Sequence, residues 1–334
     1  MKKTFLFFAF FLILFAIGFF IARMSNEEIH LIKRSRIILG TVVEIQVKDK
    51  DKEKAGSAIE KTFKEIKRID ILFSTYNEDS PVWKLNHNQD TLINVDPEIF
   101  SLMILCDSIS NITYGSFDVS LNKLLTTWGF DGDDPSLPAD DKLSGALLNS
   151  GWNNIELLED NSFKRRAGTE LNFGAIAKGY AVDKAVNVLI KLGINSVLVN
   201  AGGEIKTIGD GWVIGIQHPR NQNQIIERVN VGEMSVATSG DYEKYFEIDG
   251  KRYHHILNPK TGYPADSLIS VTVLNKSCTI ADALATAVFV LGQTKGLRLI
   301  ENLPETEAMI IDNQLNKIYS SGFENFIYGD RLSH

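Results

Sequence analysis

The spacing of apolar positions changes period early in the chain. RIILGTVVEIQV (36–47) alternates and is rich in β-branched residues, which predicts a strand. DKEKAGSAIEKTFKEIKRIDILF (51–73) places Ala58, Ile59, Phe63, Ile66 and Ile69 three and four apart, the pattern of a long amphipathic helix. The polar STYNEDSPVWKLN that follows reads as a loop. A second helix is predicted near 97–112, ahead of the short YGSFDVSL (114–121). DGDDPSLPADD (131–141), acidic and interrupted by two prolines, reads as an inserted surface loop and not as a linker between independent domains.

Strands and helices alternate through the second half. NIELLEDNSFKRR predicts a hairpin, SVLVNAGGEI a strand ending in glycines, and YFEIDGKRYHHIL a hairpin turning at Asp249-Gly250. Apolar helices are predicted near 175–191 and 279–292. No repeat of twenty to fifty residues is visible. These elements describe a mixed α+β body over 36–334, preceded by a short linker (24–35).

The amino terminus differs from the rest. Lys2 and Lys3 precede an uncharged apolar run, residues 4–22, about the length that crosses a bilayer as a helix. It is longer than a usual signal-peptide core, and no cysteine near its end offers a lipidation site. Residues 1–23 therefore read as an uncleaved anchor, with a cleavable signal segment as the alternative. The lysines mildly favour the amino end inside and the domain exported, giving a single-pass protein of the cytoplasmic membrane.

Charge narrows the partners. The net charge is −7 over 334 residues, with both signs interspersed and no basic block, which argues against nucleic acid. Cys106 and Cys278 are the only cysteines and read as packing residues.

Four segments hold candidate chemistry. In IADALATAVFVLG (280–292), Asp282 and Thr286 lie four apart, on one helix face, where their oxygens can converge on a cation. The plain alternative is an acid complementing the helix dipole and a threonine bonding back to a carbonyl. ELNFGAIAKGYAVDKAVNVLI (170–190) runs through Gly174 into a helix with Lys178 one turn in, an arrangement suited to phosphate. It matches neither the Gly-Lys-Ser/Thr phosphate loop nor the G-x-G-x-x-G fingerprint. HHILNPKTGYP (254–264) holds His255 at a strand end, where it can move a proton. Two adjacent histidines point to opposite faces, so at most one of His254 and His255 is functional. VNAGGEI (199–205) lets a ligand approach the backbone, and Phe117 with Asp118 suits an aromatic ring and its polar edge.

Taken in order, GTVVEI, STYNEDSPVWKLN, GSFDVSLNKLLTTWGF, LNFGAIAKGYAVDKA, VNAGGEI, HHILNPKTGYP and ADALATAVFVLG resemble the ApbE family, the FAD:protein FMN transferases. The matches span nearly everything from residue 36 onward. The resemblance implies a T-fold-like body that takes FAD as substrate together with a divalent cation, Mg²⁺ first and Ca²⁺ as the alternative. It implies transfer of the FMN half to a threonine hydroxyl of an acceptor flavoprotein, through a phosphoester, with release of AMP. Such acceptors include subunits of membrane redox complexes.

By the same resemblance Asp282 and Thr286 are metal ligands, joined by carbonyls at Ala175 and Ala285. Leu39, Tyr76, Ser116, Phe117, Asp118, Asn172, Lys178 and Ile256 contact the flavin nucleotide. Lys178 lies against the pyrophosphate, and His255 assists proton removal from the acceptor; with Asp282 these are the catalytic candidates. Asn172 and Leu39 stand where many members carry aspartate and methionine. SGALLNS (144–150) has Leu147 where a modified threonine would stand, so self-modification is not expected. A metal-dependent FAD pyrophosphatase and a non-catalytic flavin binder are the competing readings.

Overall fold

The computed structural model describes residue 15, residues 28–132 and residues 134–329. Apart from Phe15, the expected anchor lies outside the described residues. Among those described, no helix is long and apolar enough to cross a membrane.

The predicted strand 36–47 is two strands, β1 (His30–Ile38) and β2 (Thr41–Asp49), paired antiparallel across a two-residue turn. Leu39 and Gly40 both take positive φ, 58° and 68°, the backbone that matches the twist of a tight hairpin. The end of the expected linker is therefore strand. Helix α1 (Lys52–Phe73) follows, its first turn capped by Asp51, which accepts from the backbone N–H groups of Glu53 and Lys54. Its buried residues include the predicted Ala58, Ile59, Phe63, Ile66 and Ile69.

The expected polar loop after α1 also contains structure. Ser80 caps a short helix, α2 (Pro81–His87), with proline in its first turn, where a missing N–H costs nothing. Strand β3 (Leu92–Asn94) leads into α3 (Pro97–Ile112), and α4 (Asn122–Trp128) and α5 (Asp140–Leu148) flank the acidic loop. The predicted hairpin is present as β4 (Ile155–Leu157) and β5 (Ser162–Arg165), which with β3 form a small antiparallel sheet.

The second half supplies α6 (Ala177–Lys191), β6 (Val197–Ala201), β7 (Glu204–Ile208), β8 (Ile214–His218), β9 (Asn221–Val229) and β10 (Ser235–Gly240). Next come β11 (Tyr245–Ile248), β12 (Lys251–His254), β13 (Leu268–Asn275), α7 (Cys278–Leu291), α8 (Gln293–Glu301), β14 (Glu307–Asp312) and β15 (Lys317–Tyr319). VNAGGEI is not one strand ending in glycines. It is a hairpin whose turn, Gly202-Gly203, has φ of 74° and 113°. The Asp249-Gly250 turn joins β11 to β12 as expected.

Eight strands form one sheet in the order β1-β2-β6-β7-β10-β13-β14-β15, every pairing antiparallel. Helix α1 packs against α6, and α6 against α7. β13 is buried along its whole length because both faces are covered. Val271 and Val273 join α7 on one side, whereas Ile269 and Leu274 meet Trp212, Ile214 and Phe323 on the other. Both cysteines are free and buried in the apolar core.

Candidate functional site

One large cavity, about 930 Å³, opens where the Leu39-Gly40 turn, the end of α1, the starts of α6 and β7, and the middle of α7 converge. That volume suits a large organic ligand.

Its polar floor depends on how closely α6 and α7 cross. A Cβ on Gly179 would lie 2.3 Å from the Cys278 carbonyl oxygen and 2.8 Å from the Asp282 Cβ, so only glycine permits the contact. The Gly179 N–H donates to Asp282 Oδ2 at 2.9 Å. One turn further along α6, Asp183 accepts from the Cys278 and Thr279 backbone N–H groups, from the Ser277 and Thr279 hydroxyls, and from Lys206 Nζ. Burial alone would raise the Asp183 pKa, but Lys206 and the Thr279 donors hold it below its ordinary value. Two carboxylates thus fix α7 relative to α6.

Helix α7 starts earlier than its apolar run suggested. Ser277 is its cap, which puts Asp282 in the second turn and removes the first-turn dipole explanation for that acid. Asp282 is 4% exposed and lines the cavity. Burial raises its pKa against the opposing pull of Lys178 and the Gly179 N–H. Asp282 Oδ1 has no hydrogen-bond partner among the described residues, and Thr286 Oγ1 lies 3.2 Å from Ser239 Oγ.

Lys178 Nζ donates to Glu204 Oε1 at 2.7 Å. Burial would lower the lysine pKa, yet Glu204, Glu243 and Asp282 together raise it and favour the ammonium form. Asn172 is partly occupied by its own chain. Its Oδ1 accepts from the Gly174 N–H at 2.8 Å and its Nδ2 donates to Asn122 Oδ1 at 3.0 Å.

The two histidines separate as their adjacency required. His254 is buried; its Nδ1 accepts from the Ile256 N–H, leaving Nε2–H to donate to the Ala265 carbonyl, and its ring meets Phe289 edge-on. His255 faces the cavity, with Nδ1 3.3 Å from the Lys244 carbonyl. Burial, with His254 and Lys178 nearby, lowers its pKa to about 3. It is neutral at pH 7, with a lone pair available for a proton.

Leu39, Tyr76, Ser116, Asp118, Asn172, Ala175, Lys178, His255, Ile256, Asp282 and Thr286 all line this cavity. Two expected residues do not. Phe117 is fully buried in the main core between Ser116 and Asp118, which face the ligand space. Ala285 is fully buried in the apolar packing of α7. Sequence reasoning missed Glu204, although an acid placed between two glycines and an apolar strand was the available signal.

A family model described as the ApbE family matches residues 39–310. The chain belongs to the ApbE family. A Vibrio cholerae protein named FAD:protein FMN transferase is 32% identical over 90% of this chain and 93% of its own length. A Klebsiella pneumoniae protein of the same name is 31% identical over 89% and 94%. The ApbE protein crystal structure from Thermotoga maritima superposes with a TM-score of 0.83 at 33% identity, covering 90% of this chain and 100% of that one. The flavin transferase ApbE from Vibrio cholerae gives 0.80 at 27% identity, over 90% and 100%.

The donor chemistry also fits the cation that membership implies. Among the described residues no group of three or more His, Cys, Asp or Glu is placed to hold a metal ion by itself. One carboxylate and one hydroxyl on the ApbE cavity wall suit a hard cation that takes its remaining ligands from phosphates and water.

Proposed function

We propose that this ApbE-family protein transfers the FMN half of FAD to a threonine hydroxyl of an acceptor flavoprotein and releases AMP. Family membership and the names of its relatives support the transferase reading. The observation that carries it to this chain is the shared cavity wall of Lys178, Asp282, Thr286 and His255.

In the proposed reaction the threonine oxygen attacks the FMN phosphorus, forming the phosphoester while the bond to the AMP oxygen breaks. His255 Nε2 accepts the threonine proton, with its Nδ1–H donating to the Lys244 carbonyl and fixing the ring. Lys178 holds the pyrophosphate beside the Glu204 carboxylate. Asp282, Thr286 and the Ala175 carbonyl would hold a divalent cation, Mg²⁺ in preference to Ca²⁺. When bound, the cation supplies neutralisation of charge on the phosphates. Nothing in this proposal uses Ala285 or the Phe117 ring.

The apolar run 4–22 supports a tether to the cytoplasmic membrane with the catalytic body exported, where a redox-complex subunit would serve as acceptor.

The test uses residues 28–334, FAD, Mg²⁺ and a flavin-acceptor domain, with the acceptor weighed intact. A gain of one FMN phosphoryl unit, lost with EDTA or when the target threonine is alanine, is the expected result. AMP and free FMN accumulating without modified acceptor would replace this reading with a pyrophosphatase.

A further inference from the structure

The cavity contains a buried oxygen that the proposed reaction leaves unused. Glu204 is 1% exposed, sits on the cavity wall and is delivered there by the Gly202-Gly203 turn as the first residue of β7. Its Oε1 is taken by Lys178 Nζ at 2.7 Å. Its Oε2 is buried without a hydrogen-bond partner. Native proteins rarely leave a buried carboxylate oxygen unpaired, because its hydration has been given up with nothing in return.

What could meet that oxygen is constrained by its neighbours. Burial, with Asp282 and Glu243 on the same cavity wall, raises the Glu204 pKa, and the Lys178 ammonium at 2.7 Å pulls it back and favours the carboxylate form. Among these acids a phosphate oxygen is repelled from Oε2. A second cation is disfavoured by the lysine ammonium on the same carboxylate. A neutral donor satisfies both limits. The hydroxyls of FAD nearest a lysine that holds the pyrophosphate are those of its ribose and ribityl chain.

We propose that Glu204 is a substrate-binding residue whose Oε2 accepts a hydrogen bond from a sugar-type hydroxyl flanking the pyrophosphate. One carboxylate then orders two partners, the lysine on the phosphates through Oε1 and the neighbouring polyol through Oε2. Registration of the phosphorus is set from both sides. The inference rests on the transferase reading, because FAD supplies the hydroxyl.

The experiment measures dissociation constants of FAD and of FAD analogues each lacking one ribose or ribityl hydroxyl, with Mg²⁺ present. The wild-type arms need no variant. Removing the relevant hydroxyl should weaken binding roughly tenfold, as expected for a hydrogen bond to a charged acceptor. Whether the sensitive hydroxyl lies on ribose or ribityl identifies which half of FAD Glu204 holds. Glu204→Gln, of the same shape, should bind FAD and that analogue within about twofold of one another, the preference having gone with the charge. Equal wild-type affinity for FAD and every analogue, or a hydroxyl preference that survives in Glu204→Gln, would overturn the inference while leaving the transferase reading intact. Failure of wild type to bind FAD would overturn both.

Discussion

The cavity has two unlike walls. On one, Lys178, Asp282 and Glu204 are set by backbones packed so closely that a single Cβ at Gly179 would collide with the next helix. On the other, Leu39 and Tyr76 project from turns, and Tyr76 is 70% exposed. Lys178 and Asp282, the groups proposed to hold the phosphates and their cation, sit where little can shift, and small displacements there are costly. Leu39 and Tyr76, which the family resemblance implies contact the flavin nucleotide, sit on turns that tolerate adjustment.

Substitutions on the two walls should therefore differ in kind. Asp282→Ala should have the largest effect, a loss of roughly 10³-fold in turnover, several kcal/mol of charge stabilisation at about 1.4 kcal/mol per tenfold. Full activity with Mg²⁺ would remove Asp282 from the site. Gly179→Ala comes next. Overpacking should cost about 1–3 kcal/mol of stability and, by separating α6 from α7, lower turnover by about 10²-fold. A wild-type melting temperature with normal turnover would mean that the helix contact is not what fixes the carboxylate.

The His255 pKa is about 3 in the folded protein against an ordinary 6.5, so between those values the unfolded chain binds a proton that the native protein does not. This contribution to stability is present in full above pH 6.5 and is lost as pH falls towards 3. His255→Asn should remove up to one proton from the uptake on unfolding in that window, measurable as the slope of stability against pH. The same variant should lose turnover, and an unchanged pH–rate profile would assign proton transfer to another group. The smallest effect belongs to the turn wall. Tyr76→Ala should leave stability within about 0.5 kcal/mol and weaken FAD binding by tenfold or less, the scale of one ring contact. A collapse in stability would show that this wall is as rigid as the other.

The wall that was easier to read from sequence was the helical one. Periodic apolar residues place α1, α6 and α7, and Asp282 and Thr286 fall on one face of α7. The turns were harder. Leu39 gives no sign of positive φ, so two strands read as one. Seven residues of α2 are too few to display a period. Phe117 was expected beside its polar neighbours, yet Ser116 and Asp118 line the cavity while the ring between them enters the core. The roles of Gly179 and Glu204 were missed for a shared reason. They exist only once α6 meets α7 and β7, contacts that join residues distant in sequence.

The proposed reaction depends most on the helix crossing holding cation and phosphates together. The direct measurement is thermal unfolding of wild type and Asp282→Asn with FAD, Mg²⁺, both and neither. FAD and Mg²⁺ together should raise the wild-type midpoint by more than the sum of their separate shifts, and Asp282→Asn should lose that excess while still responding to FAD. The same excess in the variant would contradict the account.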